Sequence, residues 1–261
     1  MRIIVLLKMV PDVVEELEVA ADGKALDSEL LRMILSERDN HALEQALLVK
    51  EKHAGTVTIV ALEAPELDDA LFTALAKGAD RAVKVLKGDG VDGTRAAVYR
   101  LAQALTTLPG LLPADLILTG VQAIDDLDGL TGPLLAQHLG FPYVGIVSQV
   151  EVDPAAAKAT VVKEFSGGVR GAYGVVLPAV LGIQAAEKPP RYVPVAKVRA
   201  AMKSCRIETM APVPRVEAEV PPVTVLRMAK PEATERAEML TGSPEQVADK
   251  VIQILSARGL L

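Results

Sequence analysis

The sequence predicts an α/β protein: a parallel twisted sheet flanked by helices, with an antiparallel excursion and an extended C-terminal arm. Three observations predict it. Half of the 261 residues are hydrophobic, while aromatic residues make up 3% and Trp is absent, so the core is built from Val, Ile, Leu and Ala, the residues of buried parallel strands. Short apolar runs alternate with segments of helical spacing from Arg2 to Gly140, which is the pattern of βαβ units. Eight prolines then fall between 189 and 231, which excludes much regular structure there and predicts an arm.

Taken in order, Arg2 to Leu7 reads as a buried first strand that Pro11-Asp12 breaks, and a polar hairpin follows with Asp22-Gly23 as its turn. Asp39 to Lys52 keeps helical spacing through Ala42, Leu43, Ala46, Leu47 and Val49, with Ser36 or Asp39 placed to cap its start. Thr56 to Leu62 is a second strand, Glu66 to Ala76 a helix stopped by Gly78, Ala82 to Leu86 a third strand and Thr94 to Leu105 a helix. Asp115 to Leu118 is the fourth strand, followed by a helix over 131 to 139 and a short strand from Tyr143 to Val147. Segments at 149–153, 159–165 and 172–176, with turns at Asp153-Pro154 and Gly167-Gly168, make the antiparallel excursion; Pro178 to Ile183 returns to a buried strand. The chain thus divides into an α/β nucleotide-binding domain, 1–185, and a recognition arm, 186–261. The arm ends in a helix capped by Ser243, with Pro244 at its first position and an apolar stripe of Val247, Val251, Ile254 and Leu255. That stripe has to dock, either on its own domain or on a partner.

A net charge of −6, from 28 basic and 34 acidic residues, gives no general attraction to nucleic acid or to an anionic membrane. The first apolar run is too short for a signal peptide or a membrane span, so a cytoplasmic protein with no membrane insertion is expected. Cys205 alone cannot form an internal disulfide, and His41, His53 and His138 have no metal-ligand spacing. Against this acidic background, Lys188, Arg191, Lys197, Arg199, Lys203 and Arg206 follow one another without an intervening Asp or Glu. They are either a solvated charge run or a docking surface for acidic proteins.

The stretch Leu116 to Gly140 carries the strongest local signal. An apolar strand ends at Thr119-Gly120, the loop VQAIDDLDGL follows, and a helix opens at Thr131. Free N–H groups at such a helix start favour phosphate, while Asp125, Asp126 and Asp128 oppose it, so the loop alone reads equally as a capped helix start or a nucleotide site. The common phosphate-loop fingerprints are absent. A calcium-loop register also fails, since no Glu closes it.

These residues resemble those of the electron transfer flavoprotein β subunits, nearly end to end. IIVLLKMVPD is similar to the family's first strand and its K-x-V-P-D turn, and Asp39 with Ala42-Leu43-Glu44 to the next helix start. Ala74 to Arg81, ALAKGADR, resembles A-L-A-M-G-A-D-R. Gly120, Gln122, Ala123, Ile124, Asp125, Asp126, Thr131 and Gly132 match G-K-Q-A-I-D-D-D-x-N-Q-T-G, and Pro189-Pro190-Arg191-Tyr192 resembles the P-R-Y arm.

The resemblance implies an adenine-nucleotide-hydrolase-like fold and a heterodimer with an α subunit that holds most of a redox FAD, with a structural AMP bound to this chain. It implies cofactor contacts from Leu6, Ser36, Arg38, Asp39, Leu62, Gly120, Gln122, Ala123, Ile124, Asp125, Asp126, Gly129, Leu130 and Thr131. It implies docking of flavin-containing dehydrogenases on about 185–205 through Arg191, Tyr192, Val195, Lys197, Arg199 and Lys203, Val195 standing where the best-known members have Leu. The chain would then be an electron carrier subunit, without catalytic side chains of its own. Three places depart from the pattern: Gly129-Leu130 replace Asn-Gln, Ser36-Glu37-Arg38 replace Asn-Pro-aromatic, and Val121 replaces a lysine. Side-chain donors are lost there and backbone donors remain. Two alternatives stay open: a bifurcating type with a second FAD and NADH contact, towards which Gly132-Pro133 leans, and a stand-alone adenine-nucleotide-binding regulator.

Overall fold

The computed structural model describes residues 1–27, 31–88, 93–211, 224–231 and 237–261. Strand β1 (Arg2–Leu7) lies inside a nine-stranded sheet. Along the sheet the order is β11 (Ile207–Met210), β5 (Arg81–Val85), β4 (Thr56–Leu62), β1, β6 (Leu116–Gly120), β10 (Ala179–Ile183), β7 (Tyr143–Asp153), β8 (Lys158–Glu164) and β9 (Arg170–Val176). Every pairing from β11 through to β7 is parallel, and β7, β8 and β9 pair antiparallel. The expected fold class is therefore observed. A separate ribbon pairs β2 (Met9–Pro11) with β3 (Met33–Leu35), and the polar hairpin closes through a Val19–Leu26 bridge with Gly23 at φ +67°.

Side chains of β1 alternate between two cores, as the period of two in a strand requires. Ile3, Val5 and Leu7 meet Leu43 and Leu47 of α1 (Glu37–His53) and Leu67 and Leu71 of α2 (Leu67–Lys77). Ile4 and Leu6 meet Val98 and Leu105 of α3 (Gly93–Thr107) and Leu135 of α4 (Thr131–Leu139) on the opposite face. From β1 the chain winds outward to β4 and β5, then crosses to β6 on the other side. The order reverses between β1 and β6, and a crevice opens outside the carboxyl ends of strands at such a switch point.

Two elements differ from their sequence expectation. The strands expected at 143–147 and 149–153 are one strand, β7, whose register shifts between Val147 and Gln149 with Ile146 at φ +59°. Its first half pairs with β10 and its second with β8, so the irregularity redirects one strand from the parallel sheet into the antiparallel part. The proline-rich region also carries more regular structure than its composition predicts. Val195 to Ser204 forms α5, with Pro194 as its N-cap, and β11 then pairs with β5 at the sheet edge. The prolines bracket this piece rather than interrupt it, because none lies between Pro194 and Pro212. Pro212, Pro214, Pro221 and Pro222 lie outside the described residues. The last helix, α6 (Pro244–Ala257), has Ser243 and Gln246 in a capping box as expected, and none of its residues is buried.

Candidate functional site

A cavity of about 850 Å³ opens at the switch point, within the size range of small-molecule sites. Its floor is the carboxyl ends of β1, β4 and β6, through Leu6, Lys8, Leu62 and Gly120; one wall is α3, through Thr94, Val98 and Leu101; and the loop after β6 closes it with Gln122, Ala123, Asp125, Asp126, Asp128 and Gly129. Thr131, at the start of α4, completes the rim. Leu130 is the N-cap of α4 and makes no side-chain cap bond, and Pro133 brings no N–H to that first turn. The first-turn N–H groups of α4 are thus left for a ligand.

Asp39 fixes the floor. The residue is 7% exposed, and its carboxylate accepts from the Gly120 N–H at 2.7 Å and from the Lys8 N–H at 2.8 Å. One carboxylate thereby ties α1 to the ends of β1 and β6. Burial pushes its carboxyl up to about 7, against the pull of those two N–H donors, the nearby Lys8 charge and the Ser36 hydroxyl. Gly120 is required here by close approach: a Cβ would lie 2.6 Å from Asp39 Oδ1 and 2.9 Å from the Arg38 carbonyl carbon. Asp39 lines the cavity, and its carboxylate is committed to the two strand ends rather than to capping α1.

The loop is held by an ion-pair network. Lys8 Nζ donates to Asp125 Oδ1 at 2.7 Å and to Asp126 Oδ2 at 2.5 Å, and Thr94 Oγ1 donates to the same Asp126 oxygen at 3.1 Å. Burial lowers the Lys8 pKa, but the two carboxylates more than offset it, and the ammonium is held above the ordinary lysine range. Asp128 Oδ1 accepts from the Leu130 N–H at 3.0 Å, Gln122 Nε2 donates to the Leu127 carbonyl, and Leu127 and Gly129 take φ of +53° and +62°. Gly129 supplies the left-handed turn without a Cβ penalty.

Of the residues expected to contact a cofactor, Leu6, Asp39, Leu62, Gly120, Gln122, Ala123, Asp125, Asp126, Gly129 and Thr131 line this cavity. Four do not. Ser36 is buried at the start of α1, Arg38 Nη1 donates to the Gln184 carbonyl at 2.8 Å, Ile124 is 54% exposed, and Leu130 serves as the α4 N-cap. Lys8, Met9, Met33, Glu63, Thr94 and Lys87 also line the cavity and were not among the expected contacts. For Lys8 a signal existed, since it directly follows the first strand. Thr94 had none without the pairing of the sheet. A second cavity, of about 770 Å³, lies across the same loop and shares Gln122 and Gly129 with the first. Tyr143, Phe165, Tyr173 and Lys163 line it. Among the described residues no group of three or more His, Cys, Asp or Glu could hold a metal ion.

The arm residues separate into two groups. Arg191 faces inward: its guanidinium donates to both oxygens of Glu44 at 2.8 to 3.0 Å and to Glu51 Oε1 at 2.6 Å, and its own N–H donates to Glu44 Oε2 at 2.9 Å. The Glu44 side chain is 3% exposed, and these bonds to both glutamates hold the guanidinium above its ordinary pKa. Residues 186–187 are stitched to the same helix, with Ala186 N–H on His41 Nδ1 and Glu187 N–H on Gln45 Oε1. Tyr192, 82% exposed, and Val195, 62% exposed, face outward with Lys197, Arg199 and Lys203. Ala201 buries α5 against the main core, and Met202 lies on the exposed side with Val195 and Arg199. The spacing i, i+4, i+7 puts those three on one face.

Known proteins place this arrangement. The family model for the electron transfer flavoprotein domain matches residues 26–215. The chain is 31% identical over 263 residues to the electron transfer flavoprotein subunit beta of Methylophilus methylotrophus, covering 98% of each. It is 32% identical over 254 residues to the subunit of that name from Syntrophomonas wolfei, covering 97% of this chain and 95% of that one. With the Clostridium acetobutylicum subunit the identity is 34% over 200 residues, covering 76% and 74%. Among the described residues no helix is long and apolar enough to cross a membrane. A doubly wound sheet, a cavity at its switch point and similarity along almost the whole length lead to one conclusion: the chain belongs to the electron transfer flavoprotein family and sides with its β subunits.

Proposed function

We propose that this chain pairs with an electron transfer flavoprotein α subunit, that the α subunit holds most of a FAD, and that the switch-point cavity here binds AMP as a structural nucleotide. The uncapped N-terminus of α4 beside an 850 Å³ cavity carries the reading. Leu6, Leu62 and Leu101 offer apolar walls for a base, and the first-turn N–H groups of α4 with the Thr131 hydroxyl offer donors for a phosphate. The residues present therefore fit an adenylate although Gly129 and Leu130 bring no side-chain donor, because backbone N–H groups are the principal donors. Bound flavin supplies one-electron chemistry; this chain positions, shields and presents, acting as a carrier subunit rather than a catalyst.

The outward face of α5, with Tyr192, Val195, Met202 and the basic residues around them, fits docking of flavin-containing dehydrogenases of acidic surface. The exposed Val251, Ile252 and Ile254 of α6 fit the α subunit. The acidic balance of the chain gives no general attraction to nucleic acid, and this reading makes it a cytoplasmic carrier. The test is denaturation of the purified complex: about one adenine nucleotide is released per chain, and a nucleotide-free preparation overturns the reading.

The second cavity favours a second reading. Its aromatic lining continues the first cavity across Gln122 and Gly129, as a dinucleotide with a planar second half would need. This is the bifurcating type, and it requires two flavins per heterodimer; one flavin decides for the carrier.

A further inference from the structure

The loop after β6 presents Asp125, Asp126 and Asp128 at the rim of a cavity read above as a phosphate site, and three carboxylates repel a phosphate. Asp128 is occupied by the Leu130 N–H. The other two are met by Lys8, with its Nζ 2.7 and 2.5 Å from their oxygens, and by the Thr94 hydroxyl. Among the described residues Lys8 is the cation that ion-pairs with this loop. Arg38 is turned to the Gln184 carbonyl, and Lys87, which also lines the cavity, is exposed and makes no ion pair with the loop among the described residues. The Lys8 side chain is 37% exposed, its backbone N–H is fixed by Asp39, and an ammonium carries three N–H donors of which two are taken here.

We infer that Lys8 is the counter-ion that makes this acidic loop compatible with a phosphate-bearing ligand, cancelling one of the two negative charges of Asp125 and Asp126 and offering its remaining N–H to the phosphate. The inference rests on the adenylate reading of the cavity and adds a charge-specific role for a residue at the end of β1. Its signature is selectivity. Removing Lys8 leaves two carboxylates at the rim unpaired, which penalises a charged nucleotide far more than an uncharged nucleoside of the same base.

The experiment is calorimetric titration of the full-length chain, first stripped of any co-purified nucleotide, with AMP and, separately, with adenosine. Lys8→Met weakens AMP by about tenfold or more, the scale of one charge-assisted hydrogen bond, and adenosine by less than about threefold. Lys8→Arg keeps most of the AMP affinity, and adding Asp125→Asn and Asp126→Asn to Lys8→Met restores most of what was lost. Equal weakening of both ligands, or unchanged AMP binding, overturns the inference. Should Lys8→Met fail to fold, Asp125→Asn/Asp126→Asn alone decides: AMP tightens relative to adenosine, and an unchanged ratio overturns it. A wild-type chain that binds neither ligand is a different result, for it removes the adenylate reading itself.

Discussion

Two carboxylates of α1 are buried, and each anchors a different region by opposite means. Asp39 anchors the cavity floor with backbone donors, the N–H groups of Gly120 and Lys8. Glu44 anchors the arm with a cation, the forked guanidinium of Arg191. Backbone donors are carried by every residue except proline, so apart from Gly120, whose position admits no Cβ, the cavity floor tolerates side-chain drift around it. A fork of N–H donors on one side chain tolerates none, since lysine cannot reproduce its geometry. The contrast explains how Gly129, Leu130 and Val121 can depart from the family pattern while the cavity keeps its form, and it gives the Arg191 guanidinium its partners within the chain.

The largest test breaks the arm. Arg191→Met leaves the Glu44 carboxylate buried without its counter-ion, with only the backbone N–H of residue 191 still donating to it, and costs about 3 kcal/mol in urea unfolding. Arg191→Met with Glu44→Leu costs less than Arg191→Met alone; a double variant that costs more shows that the pair is not the anchor. The second test concerns Asp39 and pH. The folded chain keeps a proton on this carboxyl up to about 7 while the unfolded chain releases it near 3.8. Between those values the folded state binds more protons, so this group's contribution makes stability fall as pH rises from about 4 to about 7 and then level off. The drop is on the order of 4 kcal/mol. Asp39→Asn removes that slope, and the difference between the urea midpoints of the two proteins across this window reads it directly. The smallest effect on stability comes from the exposed face of α5: Val195→Asp changes unfolding by less than about 0.5 kcal/mol, yet weakens docking of a dehydrogenase in a surface-binding assay. Undiminished docking removes Val195 from that surface.

Much of this was legible in the sequence, and the exceptions share a cause. Strand β1 and helices α1 to α4 follow from local periodicity, because their burial is written in the spacing of residues such as Leu43 and Leu47. Strand β11 could not be read that way: Ile-Glu-Thr-Met is four residues long, lies at a sheet edge, and is a strand only because β5 is there to pair with. The same holds in the site. Asp39 has the look of a helix cap, and its true partner is 81 residues away; Lys8 looks like the end of a strand, and its carboxylates come 117 and 118 residues later. Gly120 and Thr131 were legible because strand, loop and helix start are adjacent in the chain. Contacts made by topology leave no trace in a single sequence.

The return of the chain to the sheet as β11 changes what α5 is. A proline-rich tail would meet its partner as a polymer and lose its freedom on binding. Here α5 is clamped before its start by Arg191 and after its end by β11, so it is a handle fixed at both ends. Its ordering entropy is surrendered when the chain folds rather than when a partner arrives. On the docking role proposed for this face, a modest patch of Val195, Met202 and flanking cations would then hold a partner long enough for an electron to pass and still release it quickly.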